Sequence, residues 1–503
     1  MAKFYITTPI YYVNDRPHIG HAYTTIAADV LARFHRLLGD EVFYLTGTDE
    51  HGIKVAQAAQ KNGLEPAQFA DEQSAKFQLA WDSLNISNDD FIRTTEKRHE
   101  QGVTKFLNKL KNAKTPLGND AVYEGEYEGL YCVGCESYKT ENDLVDGKCP
   151  DHNLEPKILK EKNWFFKLSD FGQELKNKIT DGSYNILPES RKNEVLGLIQ
   201  TGLQDVAISR QTVDWGIPIP WDKKQTIYVW IEALINYLSA LDYPQGDKFK
   251  KFWPADYHLM AKDILKFHAV IWPAMLLSVG VALPKVIFAH GFFTIDGQKM
   301  SKTLGNVIDP VEIAERYGVD AVRYFLLSEF SFGQDGDVSV EKFKSRYNTF
   351  LANGLGNVVA RVLTLVESHP AKNQTLDSTP QKIVEEVWQK YQQAMIDLQF
   401  DRAIGEIWRL LAWMDNYIQE TKPWELAKTQ PEKLVTILAD LTETIRHLGW
   451  LLYPIMPTIS ETILDSLGVL ADEEKEGFDQ IKKWGRLTDH TKIKKPAILF
   501  PRI

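Results

Sequence analysis

At 503 residues the chain is too long for one ordinary hydrophobic core, so several domains are expected. Its 44% hydrophobic and 25% charged content are those of a soluble globular protein. The 58 basic against 68 acidic side chains leave a net charge of −10, which excludes nucleic-acid binding through net charge and demands a local basic face for any RNA.

The N-terminal Met1-Ala2-Lys3-Phe4-Tyr5 carries no secretory signal, and no apolar stretch reads as long enough to cross a membrane. The 3 cysteines fall between residues 132 and 149, which argues against a disulfide framework and for a reducing cytoplasm.

The first elements read as α/β. Phe4-Tyr5-Ile6 is a short strand, soon interrupted by Thr7, Thr8 and Pro9. A Pro-His-Ile-Gly-His turn leads into a helical pattern from Ala22 to Leu38. A second buried strand, Val42 to Leu45, ends at Thr46-Gly47-Thr48-Asp49. Strands alternating with helices predict a Rossmann-like doubly wound parallel sheet, though no G-x-G-x-x-G supports a dinucleotide site. From about Pro116 to Trp221 the cysteines, charges and aromatics mark an insertion. The α/β pattern resumes at Ile227-Tyr228-Val229-Trp230, His258-Leu259-Met260 and Val286 to Ala289. Asp49, Lys262-Asp263 and His290-Gly291 each follow a strand, where parallel sheets place their sites.

Beyond about Tyr347 the chain reads as all helix. Leu351, Leu355, Val358, Val359, Val362 and Val366 keep helical spacing, as do Ile404 to Ile418 and Leu434 to Leu448. His369-Pro370 and Lys422-Pro423 separate the helices of a bundle. The expected domains are thus a catalytic first half at 1–115, an insertion at 116–225 and a catalytic second half at 226–300. A linker at 301–345 and a helical domain at 346–503 complete the chain.

Two short motifs carry the chemistry. His18-Ile19-Gly20-His21 opens the first predicted helix, where free backbone N–H groups and the helix dipole favour an anion. Histidines three apart share a face, and Gly20 lets a base or ribose lie close. Lys299-Met300-Ser301-Lys302-Thr303 follows a turn signal, Asp296-Gly297-Gln298, and is closed by Leu304-Gly305-Asn306. Its lysines would neutralise a departing pyrophosphate. Alone, the first would read as a histidine pair in a surface turn and the second as a solvated basic loop; their joint occurrence outweighs both.

Together these motifs resemble those of class I aminoacyl-tRNA synthetases, with Thr303 keeping the hydroxyl of the usual serine. The segments Thr7 to Asn14, Leu45 to Gly52, Ile208-Ser209-Arg210, Trp215 to Pro218, Val229 to Ala233 and Lys262 to Ile264 with His268 resemble the methionyl-tRNA synthetase family, in order over nearly the whole chain. The resemblance implies ATP-dependent ligation of L-methionine to tRNA(Met) through a methionyl-adenylate, with Mg2+ accompanying ATP. His18, Gly20, His21, Asp263, Lys299, Ser301 and Lys302 would bind ATP; the two histidines and two lysines would be catalytic. Methionine would lie among Ile10, Tyr12, Trp230, Ala233, Leu234, Tyr237, Ile264 and His268, with Asp49 on its ammonium group. A thioether packs well against such aromatic walls, and polar groups near sulfur would reject a hydrocarbon rival. The alternatives are a class I synthetase for another amino acid or a small-molecule nucleotidylyltransferase, against which the second lysine motif and the helical half speak.

Cys132-x2-Cys135 and Cys149-x2-His152 form two close pairs suited to one structural, tetrahedral Zn2+. A three-cysteine site, with His152 a bystander, or three free thiols are the alternatives. The resemblance supports a zinc knuckle in the insertion, whose length of about a hundred residues leaves little room for an editing domain. By resemblance, Trp424, at a helix start, would stack on an anticodon base, with Asn348 and Arg361 as further contacts. The chain stops just after the bundle, so a monomer is expected.

Overall fold

In the computed structural model the first strand, β1 (Lys3–Tyr12), runs well past the expected Phe4-Tyr5-Ile6. Pro9 lacks a backbone donor, and the pairing register shifts between Thr7 and Ile10, so the strand passes the proline through a bulge. The threonines that break the apolar pattern are buried and bonded. Thr8 Oγ1 donates to Thr46 Oγ1 at 2.8 Å, and Thr7 Oγ1 lies 2.7 Å from His258 Nδ1. The structure describes residues 2–132, 137–139, 141, 144–150, 153–211, 213–299, 307–371, 375–487 and 489–503.

The remaining strands of the main sheet are β2 (Glu41–Asp49), β3 (Asp90–Arg93), β4 (Asn185–Leu187), β5 (Tyr257–Ala261) and β6 (Val286–His290). All pair in parallel, in the order β3-β2-β1-β5-β6-β4. The edge strand β4 comes from within the stretch read as an insertion. Strand order reverses between β1 and β5, and the crevice beyond their carboxyl ends is where such sheets bind ligands.

Alternation along β1 serves two cores. Phe4 and Ile6 pack with α1 (Ile19–Leu37) on one face; Tyr5 packs with Phe43, Leu45, Met260 and Ile287 on the other. Beyond α2 (Lys97–Lys111) the chain adds a four-stranded antiparallel sheet, drawn from Val122–Cys132, Ser137–Lys139 and Lys157–Phe166, which precede β4, and Val206–Ala207, which follows it. Two short helices follow, α3 (Val229–Leu234) and α4 (Asn236–Ser239).

The C-terminal half is helical. α5 (Val319–Ser328) leads to α6 (Val340–Ser368), 29 residues of continuous helix, and the central helix of the bundle is α7 (Pro431–Leu452). By length and composition alone α6 is long and apolar enough to cross a bilayer. This corrects the expectation that no stretch would be. Its predicted apolar face, Leu351 to Val366, is buried in the bundle.

The core on the α1 side of the sheet continues into the bundle. At that joint sits Arg323 of α5, fully buried. It donates to Asp29 Oδ2 of α1 at 2.6 Å, to the carbonyls of Ile455 (2.9 Å) and Pro454 (3.1 Å), and to that of Leu84 at 3.2 Å. Catalytic and helical halves are thereby tied by one guanidinium.

Candidate active site and tRNA face

His18 is the N-cap of α1. Its Nδ1 accepts from Gly20 N at 3.1 Å, while His21 Nδ1 accepts from His18 N at 3.2 Å. The pair forms a capping box made of imidazoles in place of the usual hydroxyl and carboxamide. The rings stack with centroids 3.7 Å apart and planes 20° off parallel. An Nδ1 that accepts a backbone N–H leaves the ring proton on Nε2 of a neutral imidazole, so each cap fixes a tautomer that presents an Nε2–H donor. Burial, and then the neighbouring His18, hold His21 well below the usual histidine range, which keeps it neutral.

The second motif approaches the same place on the α1 side of the sheet, where Phe293 and Ile295 join the core that α1 packs into. Phe293–Ile295 and Gln298–Lys299 form a hairpin whose turn residues Asp296 (φ 51°) and Gly297 (φ 74°) are both left-handed, as expected from the turn signal. Asp337 Oδ1 accepts from Gly297 N and Thr294 Oγ1, each at 2.6 Å. The backbone of Lys299 ends this hairpin; Ser301 and Lys302 lie outside the described residues. Where description resumes, Ile308 O accepts from Ile19 N at 3.0 Å. The chain leaving the lysine motif is thus bonded to the histidine turn. His290, at the carboxyl end of β6, is held to α1 by a 2.6 Å contact between its Nε2 and Thr24 Oγ1. Asp263 follows β5 in a short 3-10 turn, Lys262–Ile264.

The predicted methionine residues gather around the same crevice. Parallel register sets Tyr12 beside Asp49 and Ile10 beside Gly47, and Val13 N donates to Asp49 O at 3.1 Å. Ala233, Leu234 and Tyr237 are buried on α3 and α4. Tyr237 OH donates to His268 Nε2 at 2.8 Å, because His268 Nδ1–H is already given to Ile264 O at 3.0 Å. Burial lowers His268 to about 4, so it is a neutral acceptor, and burial raises the Tyr237 phenol, so it remains a donor. Trp230 stacks on Phe267 with centroids 4.2 Å apart. No sequence pattern marked Phe267; its adjacency to His268 was the only signal. Arg210 stacks on Tyr228, 4.1 Å from the ring centre, and lies 5.7 Å from that of Tyr131, which joins the antiparallel sheet to the pocket's edge.

In the bundle a cleft of about 380 Å³ is lined by Arg361, Thr364, Leu365, Ile418, Trp424 and Lys495, among others. Trp424 is 44% exposed there. Arg361 is held by Asp415 at 2.8 Å. Asn348 is not among the lining residues; it exchanges bonds of 2.9 and 3.2 Å with the backbone of Ile503.

Residues 4–157 and 143–363 match the family of tRNA synthetases class I (M), and residues 371–503 match the anticodon binding domain of methionyl tRNA ligase. The chain belongs to the methionyl-tRNA synthetase family. The methionine–tRNA ligase of Caldanaerobacter subterraneus subsp. tengcongensis is 45% identical over 99% of this chain and 79% of its own length. That of Streptomyces coelicolor is 43% identical over 99% of this chain and 96% of its own. The structure of Mycobacterium tuberculosis methionyl-tRNA synthetase in complex with methionyl-adenylate superposes with a TM-score of 0.94 at 38% identity, covering 100% of both chains.

The expected zinc ligands fall partly outside the described residues, which include Cys132 and Cys149 but not Cys135 or His152. Among the described residues no three His, Cys, Asp or Glu side chains gather as a metal site. Cys132 pairs in antiparallel register with Ser137. Cys149 O accepts from Asn153 N at 2.7 Å, and Cys149 N donates to Leu154 O at 2.9 Å. Both described cysteines are fully buried.

Proposed function

We infer that the enzyme ligates L-methionine to its tRNA through a methionyl-adenylate, and that the crevice at the β1/β5 switch point performs the activation. One observation carries the placement: the bond from Ile19 N to Ile308 O, which brings the exit of the lysine motif to the histidine turn. In this reading the methionine carboxylate attacks the α-phosphate of ATP. Two neutral imidazoles with Nε2–H donors, at a helix N-terminus, hold phosphate oxygens without adding a mobile proton. Lys299 and Lys302 neutralise the departing pyrophosphate, and Asp263 orients the ribose. Mg2+ bound with ATP would supply further neutralisation of the triphosphate. No side chain needs to act as a covalent nucleophile; the protein's part is positioning and charge stabilisation.

Asp49 takes the substrate ammonium, and the walls from Tyr12 to His268 take the thioether. The Tyr237–His268 pair, satisfied within the protein, fixes the wall, and the aromatic and apolar surroundings suit the polarisable thioether. Arg361 and Trp424 share one cleft and would hold anticodon bases by stacking and charge. Asn348 would contact the tRNA separately. Cys132, Cys135, Cys149 and His152 would hold a structural Zn2+, and the cysteine usage favours a reducing cytoplasm. ATP–pyrophosphate exchange, run with each amino acid in turn, tests the activity. Stimulation by methionine alone is expected, and stimulation by another amino acid in its place would overturn the reading.

A further inference from the structure

A buried carboxylate lies just behind the methionine walls and has no part in the chemistry above. Glu232 sits on α3 between Trp230 and Ala233 and is fully buried. Its Oε1 accepts from His51 Nδ1 at 2.8 Å and its Oε2 from His99 Nε2 at 2.7 Å. His99 Nδ1 lies 2.9 Å from Ser239 Oγ on α4. His51 belongs to the loop that follows Asp49. That loop is braced by Trp215, whose Nε1 donates to Glu50 O at 2.6 Å and whose ring meets His51 edge-on at 5.3 Å. α2, which carries His99, approaches α4 so closely that a Cβ at Gly102 would stand 2.7 Å from that of Ser239.

One carboxylate therefore links the Asp49 loop and α2 to its own α3 directly, and reaches α4 through His99 and Ser239. These carry Asp49, Trp230, Ala233, Leu234 and Tyr237, which is most of the methionine pocket. We propose that Glu232 is a positioning residue for methionine, setting the distance between the ammonium anchor at Asp49 and the side-chain walls on α3 and α4; this rests on the methionine-pocket reading above. The chemistry requires a carboxylate. Each of the two oxygens faces its own imidazole N–H, and only an ionised acid accepts at both. A glutamine of the same volume would turn an NH2 toward one of them, a donor against a donor. The same pairing holds the Glu232 carboxyl below its ordinary range and lifts His51 above its own, consistent with a charged pair in place.

The test is ATP–pyrophosphate exchange by the full chain with Glu232→Gln. The KM for methionine should rise about tenfold or more, with KM for ATP and kcat held within about threefold, as for loss of uniform binding. Methionine binding without ATP, followed by tryptophan fluorescence, should weaken by the same factor. His99→Leu should reproduce the effect, and His99→Gln, which restores an N–H donor to Glu232, should reverse most of it. These two variants decide the matter if Glu232→Gln fails to fold. Unchanged methionine KM, or a parallel loss in both substrates and kcat, overturns the proposal. Trp230→Ala separates the two readings. If it raises methionine KM while the Glu232 and His99 variants do not, only the positioning role falls; if it leaves methionine KM unchanged, the pocket reading falls and takes the proposal with it.

Discussion

Arg323→Met would remove the guanidinium that joins the catalytic and helical halves while keeping most of the apolar volume. The native side chain is fully buried and serves Asp29 and the carbonyls of Leu84, Pro454 and Ile455. Removing one partner of a buried ion pair costs about 3–5 kcal/mol. Asp29 is not left bare, because Arg33 Nε still donates at 2.8 Å and Ser87 N and Oγ at 2.6 Å each. The ionic loss therefore belongs near the lower end, about 3 kcal/mol, and each orphaned carbonyl adds about 1 kcal/mol. The damage is local to the joint and distant from the histidine turn. Methionine-dependent pyrophosphate exchange should stay within about threefold of wild type, and the KM for tRNA in charging should rise by at least about tenfold, since a loosened joint no longer fixes the span from crevice to bundle. Both assays, run below the temperature at which the variant melts, check this. Equal losses in exchange and charging, or no loss in either, would refute the claim that Arg323 sets the span.

Tyr237→Phe leaves His268 Nε2 without its 2.8 Å donor, and a buried acceptor so orphaned costs about 1–3 kcal/mol. Methionine KM in exchange should rise about fivefold to a hundredfold, and an unchanged KM would remove the pair from the pocket. Trp424→Ala should spare exchange and damage charging; intact charging would remove the 380 Å³ cleft from the tRNA path. Asp320, almost fully buried with Oδ2 accepting from Ile459 N at 2.6 Å, is pushed up by burial from 3.8 to about 6. A carboxyl whose folded pKa is raised contributes stability that is complete below about pH 4 and lost as pH rises through about 6, by up to about 3 kcal/mol. Asp320→Asn should therefore match wild type near pH 4 and exceed it at pH 8 in thermal unfolding, and the opposite trend would show the carboxylate to be favourably paired.

Much of this site was legible because its signals are local. A histidine cap must precede its helix, Asp296-Gly297 supplies two left-handed residues at adjacent positions, and the apolar spacing of Leu351 to Val366 marks a buried face whatever it packs against. Thr7, Thr8 and Pro9 misled for the same reason. Read locally they end a strand, but partners at His258 and Thr46 on neighbouring strands, and a bulge at the proline, carry the strand through to Tyr12. α6 misled in the other sense, its length hidden by the glycines and asparagines it contains.

The order of motifs, the helix caps, the turn before Lys299 and the resemblance that names methionine follow from the sequence by itself. The tertiary structure alone decided which far-separated groups meet: Ile308 with Ile19, Glu232 with His51 and His99, Arg323 with Asp29, and Trp424 with Arg361 while Asn348 lies with Ile503. Periodicity reports which face of an element is buried. It holds no record of which face of another element lies opposite, and that is set by the crossovers of the parallel sheet and the packing of the bundle against α1.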